Sequence, residues 1–185
     1  MESEQALEDL QAIRRVMDQT RWAVATSGAG YIMMLWGFVW LVGYSGTQFL
    51  EDTLQGTIWM VLVLVGAVGS AVLGSWKGKQ VRGRPEWKFW VLWIALFVYA
   101  TIWARIFPKP DDDMVNLLFI TTVVMFGYVI MGLLLSATFA WVGIAITALA
   151  LIGYYLIPAY FPLWMAVCGG GTLIGSGIYI ARRWR

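Results

Sequence analysis

Long apolar runs separated by short polar segments make up most of this chain. Each run is about 18 to 22 residues long, which is enough for an α-helix to cross a hydrocarbon core of about 30 Å. The six runs cover 28–49, 57–76, 87–107, 114–135, 137–156 and 163–180. The pattern predicts an all-α, polytopic integral membrane protein with six transmembrane helices.

The boundary between the fourth and fifth runs is the least marked, because they are joined almost directly around Leu135-Ser136-Ala137. One unbroken helix over both runs would extend about 65 Å, twice the thickness of the hydrocarbon core. The pattern therefore predicts a very tight turn at this point. Five spans are the alternative topology.

The first 25 residues differ from the rest, because they are polar with a regular apolar stripe. Between Ala6 and Val24 apolar positions recur at spacings of four and three, over fewer than three heptads, which is too short for a coiled coil. We predict a cytoplasmic amphipathic helix over 1–25, lying on the membrane surface. Docking to a protein partner through residues 3–22 is the alternative. The transmembrane domain then covers 26–185.

The composition agrees with a lipid environment, since 60% of the residues are hydrophobic and 13% are charged. Soluble domains carry about 25% charged residues. Cys168 is the only cysteine, so the chain forms no intrachain disulfide. Histidine is absent, which excludes a histidine-ligated haem for this chain alone.

The distribution of cations predicts the orientation. Of the thirteen lysines and arginines, eleven fall in segments that the six-span topology places on one side, and only Arg105 and Lys109 fall on the other. The basic connection 77–88 holds five of the eleven. Because short basic segments stay in the cytoplasm, both termini are predicted to be cytoplasmic. A five-span chain would place the arginines of the C-terminal end outside.

Small residues are candidates for helix packing in two of the spans. Gly66, Ser70 and Gly74 recur every fourth residue, and Gly171 and Gly175 form a GxxxG pair. Small residues on one face let two helix backbones approach closely in lipid. We expect these contacts inside the monomer, with oligomerisation as the alternative.

A group of charged residues is predicted at the outer membrane interface. Arg105 lies 18 residues after Trp87, about 27 Å along a helix that crosses about 30 Å, so it reaches the headgroups. It can pair there with Asp111, Asp112 or Asp113. These three carboxylates suit the start of the fourth helix, and three consecutive helical positions point in different directions, which disfavours a divalent cation site. We therefore expect no metal.

Trp36, Trp40 and Tyr44 form an aromatic stripe at i, i+4 and i+8 near the middle of the first span. An indole N–H prefers the membrane interface, and a buried one needs an acceptor. The favoured interpretation is packing into a glycine-lined groove on another span. The alternative is an apolar pocket for a quinone or a lipid tail.

Catalytic motifs are missing from the sequence: there is no G-x-S-x-G, H-E-x-x-H or P-loop, and no carboxylate falls inside a predicted span. We expect a non-enzymatic accessory, scaffold or sensory component with no cofactor. A passive channel or carrier for a small neutral or apolar solute is the alternative, and a membrane enzyme with a bound lipid cofactor is a third. The basic connection is explained by topology, so no nucleic acid is expected.

The run from Ala6 to Thr20, which enters the first span through Ser27-Gly-Ala-Gly-Tyr31, resembles a group of small uncharacterised bacterial inner-membrane proteins. They share a short amphipathic helix followed by a compact helical bundle. The resemblance covers about the first 40 residues. It implies a bacterial cytoplasmic membrane and no particular chemistry.

Overall fold

The structure, a computed structural model, describes residues 28–78, 87–106 and 113–183. Within these ranges every regular element is helical and no strand occurs, which confirms the all-α prediction. The first five helices are α1 (Ala29–Phe49), α2 (Asp52–Gly78), α3 (Trp87–Ile106), α4 (Asp113–Leu134) and α5 (Ala137–Leu156). The remainder comprises a 3-10 turn (Pro158–Tyr160), α6 (Phe161–Trp164), a π-helical turn (Met165–Gly170) and α7 (Gly171–Arg183).

Five of these helical stretches are long and apolar enough to cross a membrane. They are Ala29–Phe49, Thr53–Trp76, Met114–Leu134, Ala137–Leu156 and Pro158–Arg182. The described apolar part of α3, Val91–Trp103, is shorter. The chain is therefore a multi-pass helical protein by length and composition, and the predicted amphipathic helix over 1–25 lies outside the described residues.

α1 begins directly after Gly28. Gly28, the residue before the helix, has a φ of 82°, in the left-handed region that only glycine adopts without strain. Its carbonyl accepts the backbone N–H of Ile32 at 3.0 Å and so begins the helical ladder.

α2 begins five residues earlier than the hydropathy pattern predicts, at Asp52 rather than at residue 57. The carbonyl of Glu51 accepts the N–H groups of Leu54 and Gln55 at 2.9 and 3.2 Å and starts the helix. The first turn is polar because it lies at the end of the span, and a hydropathy window leaves such residues out.

The tight turn predicted between the fourth and fifth spans is confirmed. Only Leu135 and Ser136 separate α4 from α5, and Ser136 is extended with φ −162° and ψ 132°. The two helices then pack closely, because a Cβ atom on Gly143 would lie 2.7 Å from the carbonyl oxygen of Met125. Gly132 faces Ala140 equally closely near the turn. α4 and α5 thus form one hairpin.

The first and last spans pack through two pairs of glycines. A Cβ atom on Gly30 would lie 2.7 Å from the carbonyl oxygen of Gly177, and one on Gly37 would lie 2.9 Å from that of Gly170. The two glycines of α1 are seven residues apart, and so are the two of the last span, as an antiparallel contact over two turns requires. Close backbone approach therefore fixes the position of α7 along α1.

The last span, predicted over 163–180, lies in one helical stretch, Pro158–Arg182, whose hydrogen-bonding pattern changes within it. The π-helical turn Met165–Gly170 connects α6 and α7 without a loop. A π-helical turn accommodates an extra residue, which rotates the following residues by about 100° relative to an uninterrupted α-helix. The π-helical turn thereby sets which face of α7 meets α1.

α1 lies at the centre of the fold, and α2 and α3 lie at its margin. α1 packs on α2, on the π-helical turn and on α7, while α5 also contacts the π-helical turn. α2 packs mainly on α1, and α3 mainly on α4. The side chains least accessible to solvent come from α4, α5 and the last span, and they include Met125, Phe139, Ile146, Phe161, Met165, Leu173 and Ile180.

Candidate functional site

Several contacts between neighbouring helices consist of a tryptophan ring that rests on a glycine, and we call each such contact a Trp–Gly socket. The glycine leaves room for the flat face of the indole, and any side chain in its place would displace the ring. Five sockets occur in the described residues. They pair Trp36 with Gly66, Trp59 with Gly43, Trp40 with Gly169, Trp93 with Gly127, and Trp164 with Gly153.

The first socket holds α1 against α2. A Cβ atom on Gly66 would lie 3.1 Å from the Trp36 ring. The indole Nε1–H of Trp36 donates to Ser70 Oγ at 3.0 Å, and this hydroxyl donates in turn to the carbonyl oxygen of Gly66 at 2.7 Å. One glycine therefore receives the ring, and the serine four residues later receives the N–H group.

The second socket repeats this arrangement with the two helices exchanged. A Cβ atom on Gly43 would lie 2.8 Å from the Trp59 ring. Trp59 Nε1 donates to Thr47 Oγ1 at 2.9 Å, and Thr47 Oγ1 donates to the carbonyl oxygen of Gly43 at 3.0 Å. The α1–α2 hairpin is therefore held by two reciprocal contacts, each with its polar groups paired. We call this pair of sockets the reciprocal clasp.

Two of the three remaining sockets involve the last span. The Trp40 ring would lie 3.2 Å from a Cβ atom on Gly169, in the π-helical turn. Trp164 covers Gly153 and donates its Nε1–H to the carbonyl oxygen of Leu149 at 2.8 Å. These two sockets connect the last span to α1 and to α5.

A buried polar contact joins α1 to α4. The hydroxyls of Tyr44 and Thr121 are hydrogen-bonded, and Thr121 Oγ1 also lies 2.7 Å from the carbonyl oxygen of Leu117. Because the proton of Thr121 goes to that carbonyl, Tyr44 is the donor to Thr121. Trp40 and Trp59 pack edge-on against the Tyr44 ring, at centroid distances of 5.5 and 5.1 Å. The tyrosine is thereby held by three neighbours.

The predicted aromatic stripe is therefore split among different helices. Trp36 packs on α2, Trp40 packs on the π-helical turn, and Tyr44 reaches α4. Thr147 Oγ1 donates to the carbonyl oxygen of Gly143 in its own helix at 2.8 Å. Trp40 and Tyr44 stay in edge-on contact and Tyr44 is bonded to Thr121, whereas Trp36 faces a different helix.

The predicted small-residue stripes are only partly used within the chain. Gly66 and Ser70 act together under Trp36. In contrast, a Cβ atom on Gly74, Gly171 or Gly175 would meet nothing within 4 Å. The close contacts of the last span with α1 are made by Gly170, the last residue of the π-helical turn, and by Gly177 of α7. The predicted GxxxG pair thus lies on an open face.

The predicted charged residues at the outer interface fall largely beyond the described part. Arg105 lies in α3 and Asp113 is the first residue of α4, but only their backbone positions are described. Asp111 and Asp112 lie outside the described residues. Within the described side chains, no group of three histidine, cysteine, aspartate or glutamate residues could hold a metal ion.

A groove between α3 and α4 was not predicted. Its free volume is about 570 Å³, its walls are almost wholly apolar, and it opens on the surface of the bundle. The lining residues are Val91, Leu92, Ala95, Leu96, Tyr99, Phe126 and Ile130. A groove between two helices depends on how they diverge, and hydropathy carries no information about that.

Some of the missed contacts do have a sequence signal. Gly30 and Gly37 have the same seven-residue spacing as Gly170 and Gly177. The two acceptor sites of the reciprocal clasp share a G-x-x-G-[ST] pattern, at residues 43–47 and 66–70. A search for such repeated spacings would have found both features.

The described side chains around α1 therefore pack against one another and form hydrogen bonds with one another and with the backbone. Comparison with protein-family models, with curated proteins and with solved structures finds no match.

Proposed function

We propose that this chain is a non-enzymatic component of a bacterial cytoplasmic membrane that acts as an accessory, scaffold or sensory protein. It crosses the membrane six times, because α3 spans the bilayer in addition to the five membrane-length helical stretches. Both termini lie in the cytoplasm. The cytoplasmic side presents the amphipathic segment 3–22 and the basic connection 77–88 to a protein partner. The eleven-to-two distribution of cations supports this orientation.

The observation that carries the proposal is the use of the interior for packing. The indole N–H groups of Trp36, Trp59 and Trp164 all have acceptors within the chain. The buried pair Tyr44 and Thr121 is likewise bonded to itself and to the backbone. Groups that are paired in this way hold helices together and are not free to act as acid–base catalysts.

One feature favours the alternative of a passive channel or carrier. Gln48 follows Tyr44 by one helical turn, and its Oε1 is buried without a hydrogen-bond partner among the described residues. Its Nε2 lies 3.3 Å from the carbonyl oxygen of Ala159. These groups form a short polar row, but it covers only one end of α1.

The scaffold proposal is tested by site-specific crosslinking in cells. A photoreactive residue at Glu8, in the amphipathic segment, should form one discrete crosslinked protein band. The control position is Met60, which is exposed on α2 and should crosslink to lipid. A deletion of residues 2–22 should remove the partner from the purified complex.

Two results would contradict this function. One is a chain without residues 2–22 that retains its full complement of bound protein. The other is solute flux in liposomes that requires Tyr44 and Gln48, which would establish the channel instead.

The orientation is tested separately, in a Cys168→Ser background. A single cysteine at Arg82 should be protected from a membrane-impermeant thiol reagent in intact cells, and one at Lys109 should react. The reverse pattern would invert the topology.

A further inference from the structure

The π-helical turn Met165–Gly170 gives the last span one residue more than a uniform α-helix needs to reach the same point. Directly after the turn, the N–H group of Gly171 is shared between the carbonyls of Val167 and Cys168. If the turn became α-helical, each residue beyond it would take the place that the next residue now occupies. This is a rotation of about 100° and an advance of about 1.5 Å. A change of hydrogen-bond partners within the turn is therefore sufficient to shift α7 by one residue.

A second pair of small residues is suited to replace the present contact with α1. The two contact glycines of α1 now meet Gly170 and Gly177. After a shift by one residue, Gly169 and Ser176 would meet them instead. Both are small, and they have the same seven-residue spacing as the pair that they replace. A shift in the opposite direction would bring Ile178 against the backbone of α1, so only one alternative register is open.

The shift also leaves the hydroxyl that it buries with a hydrogen-bond partner. Thr172 would take the place of the buried Leu173. Its Oγ1 donates to the carbonyl oxygen of Cys168, four residues earlier, at 2.6 Å, and this bond moves with the helix. Tyr179 would take the place of Ile180, which is fully buried. Because tyrosine is the larger side chain, the shifted register is the less stable of the two.

We propose that the last span has two registers against α1 and that the π-helical turn exchanges them. In the resting register, which is that of the structure, Gly170 and Gly177 face α1. In the shifted register the turn is α-helical, and Gly169 and Ser176 face α1. A partner or a lipid that contacts α7 differently in the two registers shifts the population between them. The exchange is a property of the bundle itself and does not rest on the scaffold function.

Cysteine labelling distinguishes the two registers. The full chain in mild detergent is treated with N-ethylmaleimide in a Cys168→Ala background, carrying either Tyr179→Cys or Ile180→Cys. Tyr179 is 43% exposed and Ile180 is buried, so in the resting register position 179 reacts and position 180 is protected. In the shifted register position 179 becomes buried, and position 180 takes the place of the half-buried Ala181. The labelling pattern is then reversed.

The main variant is Gly177→Leu, which blocks the resting register because its side chain would meet the backbone of Gly30. In the shifted register the same leucine takes the place of Ile178, which is 36% exposed. We therefore expect Gly177→Leu to fold and to reverse the labelling pattern. Ser176→Leu is the matched control, because it blocks only the shifted register and should keep the resting pattern. Size-exclusion chromatography and far-ultraviolet circular dichroism verify the fold of each variant.

Deletion of one residue tests the role of the π-helical turn. Val167 is 64% exposed, and its deletion removes the extra residue while Gly170 and Gly177 remain against α1. The resting pattern should persist in this variant. Adding Gly177→Leu to the deletion should prevent folding, because no extra residue is left to allow the shift.

A milder variant shifts the equilibrium without blocking either register. In the shifted register Ser176 stands at the place of Gly177, where a Cβ atom would lie 2.5 Å from the carbonyl oxygen of Gly30. The two helices must then separate slightly. Ser176→Gly removes this cost, and it should speed up labelling at position 180 relative to the parent chain.

Three results would overturn the proposal. Gly177→Leu that folds with the resting pattern would mean that α7 separates from α1 without a change of register. Failure of Gly177→Leu to fold, together with unchanged labelling in Ser176→Gly, would mean that the last span has a single register. Folding of Gly177→Leu in the chain that lacks Val167 would mean that the π-helical turn does not supply the shift.

Discussion

α1 and α2 are neighbouring helices of similar length, yet their surroundings differ. α1 has seven buried residues and packs on several partners. Among the residues of α2 whose exposure is described, only Gly66 is buried. α2 nevertheless has the higher mean hydropathy of the two. In a bilayer, apolar character therefore measures contact with lipid, whereas glycines and hydroxyls determine contact between helices.

The strongest test of this comparison is a glycine of α1. Gly37→Leu should lower the free energy of unfolding by about 3 kcal/mol or prevent folding, because its side chain would meet the backbone of Gly170. The matched control is Gly175→Leu on the open face of α7, which should have no such cost. Unfolding in detergent, followed by far-ultraviolet circular dichroism, measures both. Similar losses in the two variants would contradict the assigned helix faces.

The buried polar contact between α1 and α4 predicts an asymmetry between its two partners. Thr121→Val leaves the Tyr44 hydroxyl without an acceptor and should cost about 1–3 kcal/mol. Tyr44→Phe removes the donor while Thr121 keeps its bond to Leu117, so it should cost only about 0.5–1 kcal/mol. The same unfolding measurement gives the loss of free energy of unfolding for each variant. A larger loss for Tyr44→Phe would show that the donor is assigned incorrectly.

The reciprocal clasp predicts a small but specific coupling between α1 and α2. Trp36→Phe removes the N–H group and Ser70→Ala removes its acceptor. A double-mutant cycle should give a coupling energy of about 0.6 kcal/mol, typical of hydrogen bonds between membrane helices. Trp36→Phe combined with Thr47→Val is the control, since these groups belong to different sockets and should be additive. Coupling of equal size in the control would argue against two separate sockets.

The smallest effect is expected on the exposed face of α2. Met60→Ala should change the free energy of unfolding by less than about 0.5 kcal/mol, because Met60 is 62% exposed. Met125→Ala removes the same side chain from a fully buried position of α4 and should cost at least about 2 kcal/mol. Comparable losses would mean that α2 is covered in the assembled protein, which would indicate an oligomer.

Much of the helical architecture could be predicted from the sequence. The lengths of the apolar runs determine that the chain crosses a membrane, and the geometric limit on helix length requires the turn at Ser136. The helix ends agree with the prediction to within two residues for α1, α4 and α5. α2 differs because its first turn is polar.

The contacts between helices could be predicted only in part. Gly171 and Gly175 share one face of α7, as counting residues predicts, but that face is open, and Gly170 and Gly177 make the contact with α1 instead. Similarly, Trp36 and Trp40 share a stripe and still reach different neighbours, because their glycines lie on different helices. Which neighbouring helix a side chain contacts depends on where the backbones of the other helices lie in space. The periodicity of one helix carries no information about those positions.

The hydroxyls of Thr47 and Ser70 have a consequence for assembly. Each donates to a carbonyl of its own helix, so it is already satisfied when that helix stands alone in lipid. Only the indole N–H group gains a partner when α1 and α2 meet. Insertion into the bilayer and association of the inserted helices can therefore proceed as two separate events. At no stage does the hydroxyl of Thr47 or Ser70 lie in hydrocarbon without a hydrogen-bond partner.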